Sequence, residues 1–344
     1  MTFTPGMLYL FTFSSSLVLS LVLVPAARSA ALVLDIFDRP ISSVKTHKQP
    51  VPYLGGVAIL VSFVFSLIWI RVLTSFPSGT LRSLRGILCG GALLSLLGLV
   101  DDVKHHGLHY WTKFGVQILA ALMVLAFGVR IKFIQPSWFA SVLTVIWIVG
   151  VTNAFNLIDI MDGLASGVGA VASAAFLFIA LPTEDIYVNF AAAAMCGALL
   201  GFMPYNLSKR LRIFMGDSGS LLLGFVCSAL AMGTSYSQTN RFAVFAPLLI
   251  LAIPIFDTVF VSYCRIRRGI SPFVGSKDHF PLRLEAMGWN RPMILAFTLT
   301  FASILCFAAF VATVLSKTGA LAVFAGAGAL LAIFTAYVLR APAP

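Results

Sequence analysis

The chain has 344 residues, of which 60% are hydrophobic and only 10% charged, with a mean hydropathy of +0.99. A water-soluble domain carries roughly 25% charged residues, so this composition excludes one. With about 20 residues per spanning helix, the length accommodates about 10–11 transmembrane helices and no sizeable soluble domain. The expectation is an all-α polytopic integral membrane protein, residues 1–344 forming a single transmembrane domain.

The net charge of +11 would suggest nucleic acid in a soluble chain, but membrane orientation explains it first, because Lys and Arg collect on the cytoplasmic side. Cys89, Cys196, Cys227, Cys264 and Cys306 stand singly in apolar runs without metal-ligand spacing, and read as packing residues.

Apolar runs predict segments near Met7–Leu34, Tyr53–Thr74, Leu84–Val100, Phe114–Val129, Ser137–Phe155 and Gly163–Leu181. Others follow near Val188–Tyr205, Ser218–Ser235, Phe242–Tyr263, Met293–Leu315 and Gly319–Leu339. The first ends in Pro-Ala-Ala-Arg-Ser-Ala, which resembles a leader cleavage site, but no Lys or Arg precedes Arg28. The positive region of a secretory signal is missing, so the run reads as a retained helix with its N-terminus outside. On that assignment most cations fall in inside loops, the longest spanning residues 264–292, and the C-terminus lies inside.

Carboxylates contribute little to orientation, yet Asp35, Asp38, Asp101, Asp102, Asp159, Asp162, Asp217, Asp278 and Glu285 all fall on the inside face. Only Glu184 and Asp185 fall outside, and Asp257 lies within a helix. One site built from alternate cytoplasmic loops accounts for this bias.

Asp101-Asp102 ends a helix, where negative charge meets the negative end of the dipole. A divalent cation with a phosphate substrate would compensate; ion pairing with Lys104 and Lys113 is the plainer alternative. Asn153, Asn156, Asp159 and Asp162 recur every third residue across a helix–loop–helix junction. That spacing keeps them on one face and suits a ligand rich in hydroxyl and phosphate groups. Gly216-Asp217-Ser218-Gly219-Ser220 opens a helix, either as a simple cap or as a close approach to a metal-bound phosphate. His47 lies in a basic, proline-broken loop before Tyr53-Leu-Gly55-Gly56, whose bland reading is a headgroup anchor. His105, His106 and His109 lack zinc spacing and read as solvated. Phe273, His279 and Arg283 sit in the longest loop, where cations and aromatics suit a diphosphate and a base. Asp257, shortly after Pro254, is an intramembrane carboxylate with either a functional or a kink-stabilising role.

These motifs, in this order along essentially the whole chain, resemble the polyprenyl-phosphate N-acetylhexosamine-1-phosphate transferases, the superfamily that includes phospho-MurNAc-pentapeptide translocase. The resemblance rests on His47 with Pro52-Tyr-Leu-Gly-Gly, Asp101-Asp102, Lys113, Asn153 to Gly163, Gly216 to Ser220, and Ser271-Pro-Phe273 leading to His279. It implies transfer of a sugar-1-phosphate from a UDP-N-acetylhexosamine to undecaprenyl phosphate, with release of UMP. Mg2+ is the implied cofactor, with Mn2+ as a substitute. It also implies a multi-pass protein of the bacterial plasma membrane, a cytoplasmic site, membrane lipid as a partner, no nucleic acid, and a homodimer.

Carried over by position, Asp217 and Asp159 are the expected metal ligands. Asp101, Asp102, Asp159, Lys113 and His279 are the expected catalytic residues, and His47, Asn153, Asn156, Asp162, Arg283 and Phe273 the expected substrate-binding ones. One departure concerns specificity: GlcNAc-type relatives carry a His-x-His-His cluster where this chain reads His279-Phe280-Pro281-Leu282. The Ser-Pro-Phe lead-in and Arg283-Leu284 still favour UDP-GlcNAc over UDP-MurNAc-pentapeptide. A lipid-linked sugar flippase is the alternative of a different class, but transporters concentrate ionisable groups near the midplane.

Overall fold

The computed structural model describes residues 4–39, 49–73, 80–104, 107–183, 186–236 and 240–341. The helices are α1 (Pro5–Val33), α2 (Gly55–Leu73), α3 (Thr80–Val103), α4 (Tyr110–Ala126), α5 (Ser137–Ile158), α6 (Leu164–Ala180) and α7 (Ile186–Asn206). They continue with α8 (Gly216–Gly233), α9 (Ala246–Ile250), α10 (Ala252–Arg267), α11 (Phe280–Ala286), α12 (Arg291–Val314) and α13 (Lys317–Val338). Among the described residues, 8 helices are long and apolar enough to cross a membrane. The stretch Arg241–Ile250 with Ala252–Arg267 is long and apolar enough only when taken together, and is bent by 69° at its break. With the shorter apolar helices α4 and α6, each of the apolar segments expected from sequence corresponds to an apolar helix or to that bent pair. The protein is a polytopic all-α membrane protein. Its strands are β1 (Phe37–Asp38) and β2 (Val51–Pro52), an antiparallel pair that the sequence reading did not foresee.

Lipid chains are as apolar as Leu, so helices in a bilayer associate through close packing and hydrogen bonds rather than the hydrophobic effect. The α1–α7 pair shows how. The buried stripe of α1 includes Thr12, Ser16 and Ser20, and it faces the small residues of α7. A Cβ on Gly197 would lie 2.3 Å from the Phe13 carbonyl oxygen, and one on Gly201 2.6 Å from that of Leu17. At this separation Ser16 and Ser20 each donate across to a carbonyl oxygen, of Ala194 and Ala198, at 2.7 Å. The helix continues through Pro25 to Val33.

α7 and α8 are buried along most of their length, whereas α13 lies at the periphery. The bend between α9 and α10 falls at Leu251, between Pro247 and Pro254, as expected where proline removes a helical hydrogen bond. Buried α8 is held at its start by backbone bonds to the segment preceding α2. Gly55 N donates to Phe214 O at 3.0 Å, Gly56 N to Met215 O at 2.9 Å, and Phe214 N to Pro52 O at 2.9 Å. A Cβ on Gly56 would meet Gly219 N at 2.1 Å, and one on Gly98 would meet Ser218 N at 2.3 Å. These glycines let α2 and α3 press directly against the first turn of α8.

Candidate active site

At the end of the bundle where α3, α5, α7 and α10 finish and α4, α6, α8 and α12 begin, a cavity of about 320 Å³ opens. Each of the alternate loops expected to face the cytoplasm contributes to it. Its acidic wall is Asp38, Asp102, Asp159, Asp162 and Asp217; opposite charge comes from Arg212 and Arg291, with His279 beside them.

Asp217, in the first turn of α8, is the most elaborately held of these. Its Oδ2 accepts from Lys113 Nζ at 2.7 Å, and its Oδ1 accepts from Asn156 Nδ2 at 2.8 Å. Lys113, one turn into α4, also donates to Asp101 Oδ2 at 2.5 Å, and Leu108 N donates to Asp101 Oδ1 at 2.5 Å. Asn156 donates a further bond to Ser220 Oγ at 3.0 Å. The lysine thus bridges two carboxylates from α3 and α8, while an amide from α5 sets the rotamer of Asp217.

The adjacent aspartates of α3 have different tasks. Both Asp102 oxygens accept backbone bonds from the start of α8, from Asp217 N at 2.9 Å and Ser218 N at 3.1 Å. Asp102 satisfies N–H groups that helix geometry leaves without partners, and it replaces Asp217 as the cap that a simple reading of Gly-Asp-Ser suggests. Gly216 precedes them at φ +68°, and a Cβ there would meet Asp102 Oδ2 at 2.4 Å.

Asp159 ends α5 and Asp162 follows in the short connection to α6. Asp162 pairs with Arg212 Nη2 at 2.6 Å, and the Arg212 guanidinium lies 5.0 Å from the centre of the Phe214 ring. Among the described residues Asp159 has no such cation. Burial, followed by the charges of Asp217 and Asp162, pushes its carboxyl up to about 7. Tyr53 also lines the cavity; burial and then the neighbouring charge of Asp38 push its phenol up.

This donor set fits a hard divalent cation. The candidates are carboxylate oxygens, and the mutual repulsion of Asp159 and Asp217 calls for positive charge between them. Among the described residues no three His, Cys, Asp or Glu side chains form a metal-holding group. A protein-only cage is not what Mg2+ requires, since it commonly takes one or two carboxylates together with water and substrate phosphate oxygens.

Of the residues expected from sequence, Asp102, Asn156, Asp159, Asp162, Asp217 and His279 line the cavity, and Lys113 and Asp101 join it through Asp217. Asn153 does not: its Nδ2 donates to Gln117 Oε1 at 2.7 Å and to Val149 O, tying α5 to α4. Arg283 is buried against Asp278 at 3.0 Å and under the Phe260 ring, away from the cavity lining. A guanidinium anchored this way supports the loop rather than reaching substrate. Phe273 is 72% exposed and packs near Tyr110 and Phe114; the cavity aromatics are Tyr53 and Phe214 instead. His47, His105 and His106 lie outside the described residues.

Sequence reasoning missed Arg212 and Arg291, counting them only as orientation signals. Arg212 stands five residues before Asp217 in the same loop, a proximity that could have flagged it. Arg291 was not separable from other loop cations, because α11 is what folds it back toward the cavity.

The model of the family described as "Glycosyl transferase family 4" matches residues 84–235, which include Asp101, Lys113, Asn156, Asp159 and Asp217. A Bacillus subtilis (strain 168) protein, "Probable undecaprenyl-phosphate N-acetylglucosaminyl 1-phosphate transferase", is 32% identical over 82% of this chain and 78% of its own length. The chain belongs to glycosyl transferase family 4. Other members of the family are similar over comparable lengths. The Mycolicibacterium smegmatis "Decaprenyl-phosphate N-acetylglucosaminephosphotransferase" is 30% identical over 83% of this chain and 78% of its own. The Escherichia coli (strain K12) "Undecaprenyl-phosphate alpha-N-acetylglucosaminyl 1-phosphate transferase" is 27% identical over 80% and 76%.

Proposed function

We propose that this chain transfers GlcNAc-1-phosphate from UDP-GlcNAc to undecaprenyl phosphate and releases UMP, with the cavity facing the cytoplasm of a bacterial plasma membrane. The observation that carries the proposal is the meeting of Asp217, Asp159 and Lys113 with Arg212, Arg291 and His279 at one end of an apolar bundle. The names of the relatives from B. subtilis, M. smegmatis and E. coli support GlcNAc as the sugar and a polyprenyl phosphate as acceptor.

In the reaction an oxygen of the lipid phosphate forms a bond to the donor's β-phosphorus. The bridging bond between that phosphorus and UMP breaks, and UMP carries the electron pair away. Phosphoryl transfer of this kind depends on alignment and charge neutralisation more than on a strong base. The acceptor phosphate is already an anion near neutral pH, so no carboxylate needs to deprotonate it.

Asp217 and Asp159 would hold Mg2+, which supplies neutralisation of charge on the donor diphosphate. Lys113 places a cation beside Asp217 and carries one of the phosphates, with Asp101 fixing its ammonium. Arg212, Arg291 and His279, which line the same cavity, bind the diphosphate and sugar. Phe214, with Arg212 over its ring, offers the face on which the nucleoside base stacks.

The test is UMP release by purified protein given undecaprenyl phosphate and Mg2+, with UDP-GlcNAc, UDP-GalNAc and UDP-MurNAc-pentapeptide supplied separately. The proposal expects lipid-dependent, EDTA-sensitive release from UDP-GlcNAc. Release only from another donor would overturn the sugar assignment, and no release from any would overturn the reaction.

A further inference from the structure

Asp257 has no place in the chemistry above, yet it is fully buried in α10, beyond the bend at Leu251. A carboxylate there is costly unless its oxygens are satisfied, and both are. Oδ2 lies 2.6 Å from His279 Nδ1, and Oδ1 accepts from Phe280 N at 3.0 Å. Asp257 is not among the residues that line the cavity.

The His279 backbone is pinned on its other side as well. Asp278, 1% exposed, pairs with Arg268 Nη2 at 2.7 Å and with Arg283 Nη2 at 3.0 Å. His279 is 4% exposed, but it lines the cavity together with Ser276, Leu282 and Arg291. With Nδ1 turned to Asp257, Nε2 is the nitrogen left for the cavity. Among the described residues His279 is the sole cavity histidine.

We infer that Asp257 is a positioning residue: it accepts the Nδ1 proton of His279 and thereby fixes the ring with Nε2 directed at the bound donor. A carboxylate partner sets both the tautomer and the orientation of an imidazole. The inference rests on the transferase reading for what Nε2 touches, though the Asp257–His279 pair stands without it.

The decisive variant is Asp257→Asn in the full-length protein in lipid nanodiscs. An amide keeps the shape and can still accept from Phe280 N, but its NH2 now faces Nδ1 and favours the opposite tautomer. The expected result is a fall in kcat on the order of 10- to 100-fold, by analogy with loss of the hydrogen-bond partner that orients a metal-bound histidine, with KM for UDP-GlcNAc changed much less. Asp257→Asn/His279→Gln is expected to be no slower than His279→Gln alone, because the two residues act as one unit. Asp257→Glu should recover part of the rate. Unchanged kcat in Asp257→Asn, or losses that multiply in the double variant, would overturn the inference.

Nitrogen-15 histidine NMR of the wild-type protein, assigned with His279→Gln, reads the pair without any turnover. A protonated Nδ1 on His279 is expected, and an unprotonated one would overturn the inference even if Asp257→Asn failed to fold. Should wild-type protein transfer no sugar phosphate, the functional reading falls while this spectrum still decides the role of Asp257.

Discussion

Two helix starts flank the cavity, and each is capped by a carboxylate borrowed from another helix. At α8, Asp102 of α3 gives both oxygens to backbone N–H groups, which leaves the next side chain, Asp217, to face Lys113, Asn156 and the cavity. At α11, Asp257 of α10 gives one oxygen to the backbone and the other to His279, the residue just before the helix. In the first case the borrowed carboxylate shapes only the backbone, and Lys113 and Asn156 orient the functional group. In the second it does both. Position in a motif therefore does not reveal how an acidic residue is used: Asp102 and Asp257 support helix starts, and Asp217 is the side chain that one of these supports leaves facing the cavity.

Changes that disturb one start and spare the other test this contrast. Among the residues that hold these starts, Lys113→Met is expected to act most strongly on transfer, since it leaves Asp101 and Asp217 without their shared cation. Transfer should fall on the order of 100-fold, as for loss of one preorganised electrostatic group. Removing one partner of a fully buried pair costs about 3–5 kcal/mol; with Lys113 25% exposed, about 1–3 kcal/mol in chemical denaturation is expected. Retention of both rate and stability would contradict the bridging role.

Asp102→Asn should act on the fold of the α8 start. One backbone N–H would lose its acceptor, costing about 1–3 kcal/mol, visible as a lowered Tm, while the folded fraction keeps more activity than Lys113→Met. An unchanged Tm with abolished transfer would make Asp102 a reacting group instead of a support.

A further effect is read in stability alone and depends on pH. Asp159 is raised to about 7 from an unfolded value near 4, so folding opposes its ionisation. As pH rises between those values the unfolded chain loses the proton first, and metal-free protein loses stability, the penalty being complete above about pH 7. Asp159→Asn should therefore raise the Tm of EDTA-treated protein at pH 8 and leave it nearly unchanged at pH 4. Equal shifts at both values would contradict the electrostatic account.

The helical crossings were legible because each apolar run is long enough to span and is broken by Gly, Pro or charge. The acidic bias toward one end was legible because carboxylates gain nothing from orientation. What remained hidden depends on contacts between distant segments. Asp102 could not be told from Asp101, since only the approach of α8 across Gly98 assigns its oxygens. Arg283 resembled a diphosphate ligand until Asp278 and Phe260 enclosed it, and Phe273 resembled a base-stacking residue until the loop turned it toward Tyr110. Asn153 shares its spacing with Asn156, but Gln117 on α4 captures its amide one turn away from the cavity.

The central claim is that Asp217, held by Lys113 and Asn156, organises phosphoryl transfer at this cavity. The most direct measurement is undecaprenyl-phosphate-dependent UMP release from UDP-GlcNAc by wild type and Asp217→Asn, side by side, at saturating Mg2+ and equal amounts of folded protein. The account predicts release by the wild type and a loss on the order of 1000-fold in the variant, with the α8 start still held by Asp102 and Lys113 still paired with Asp101. Comparable rates from both proteins would contradict it.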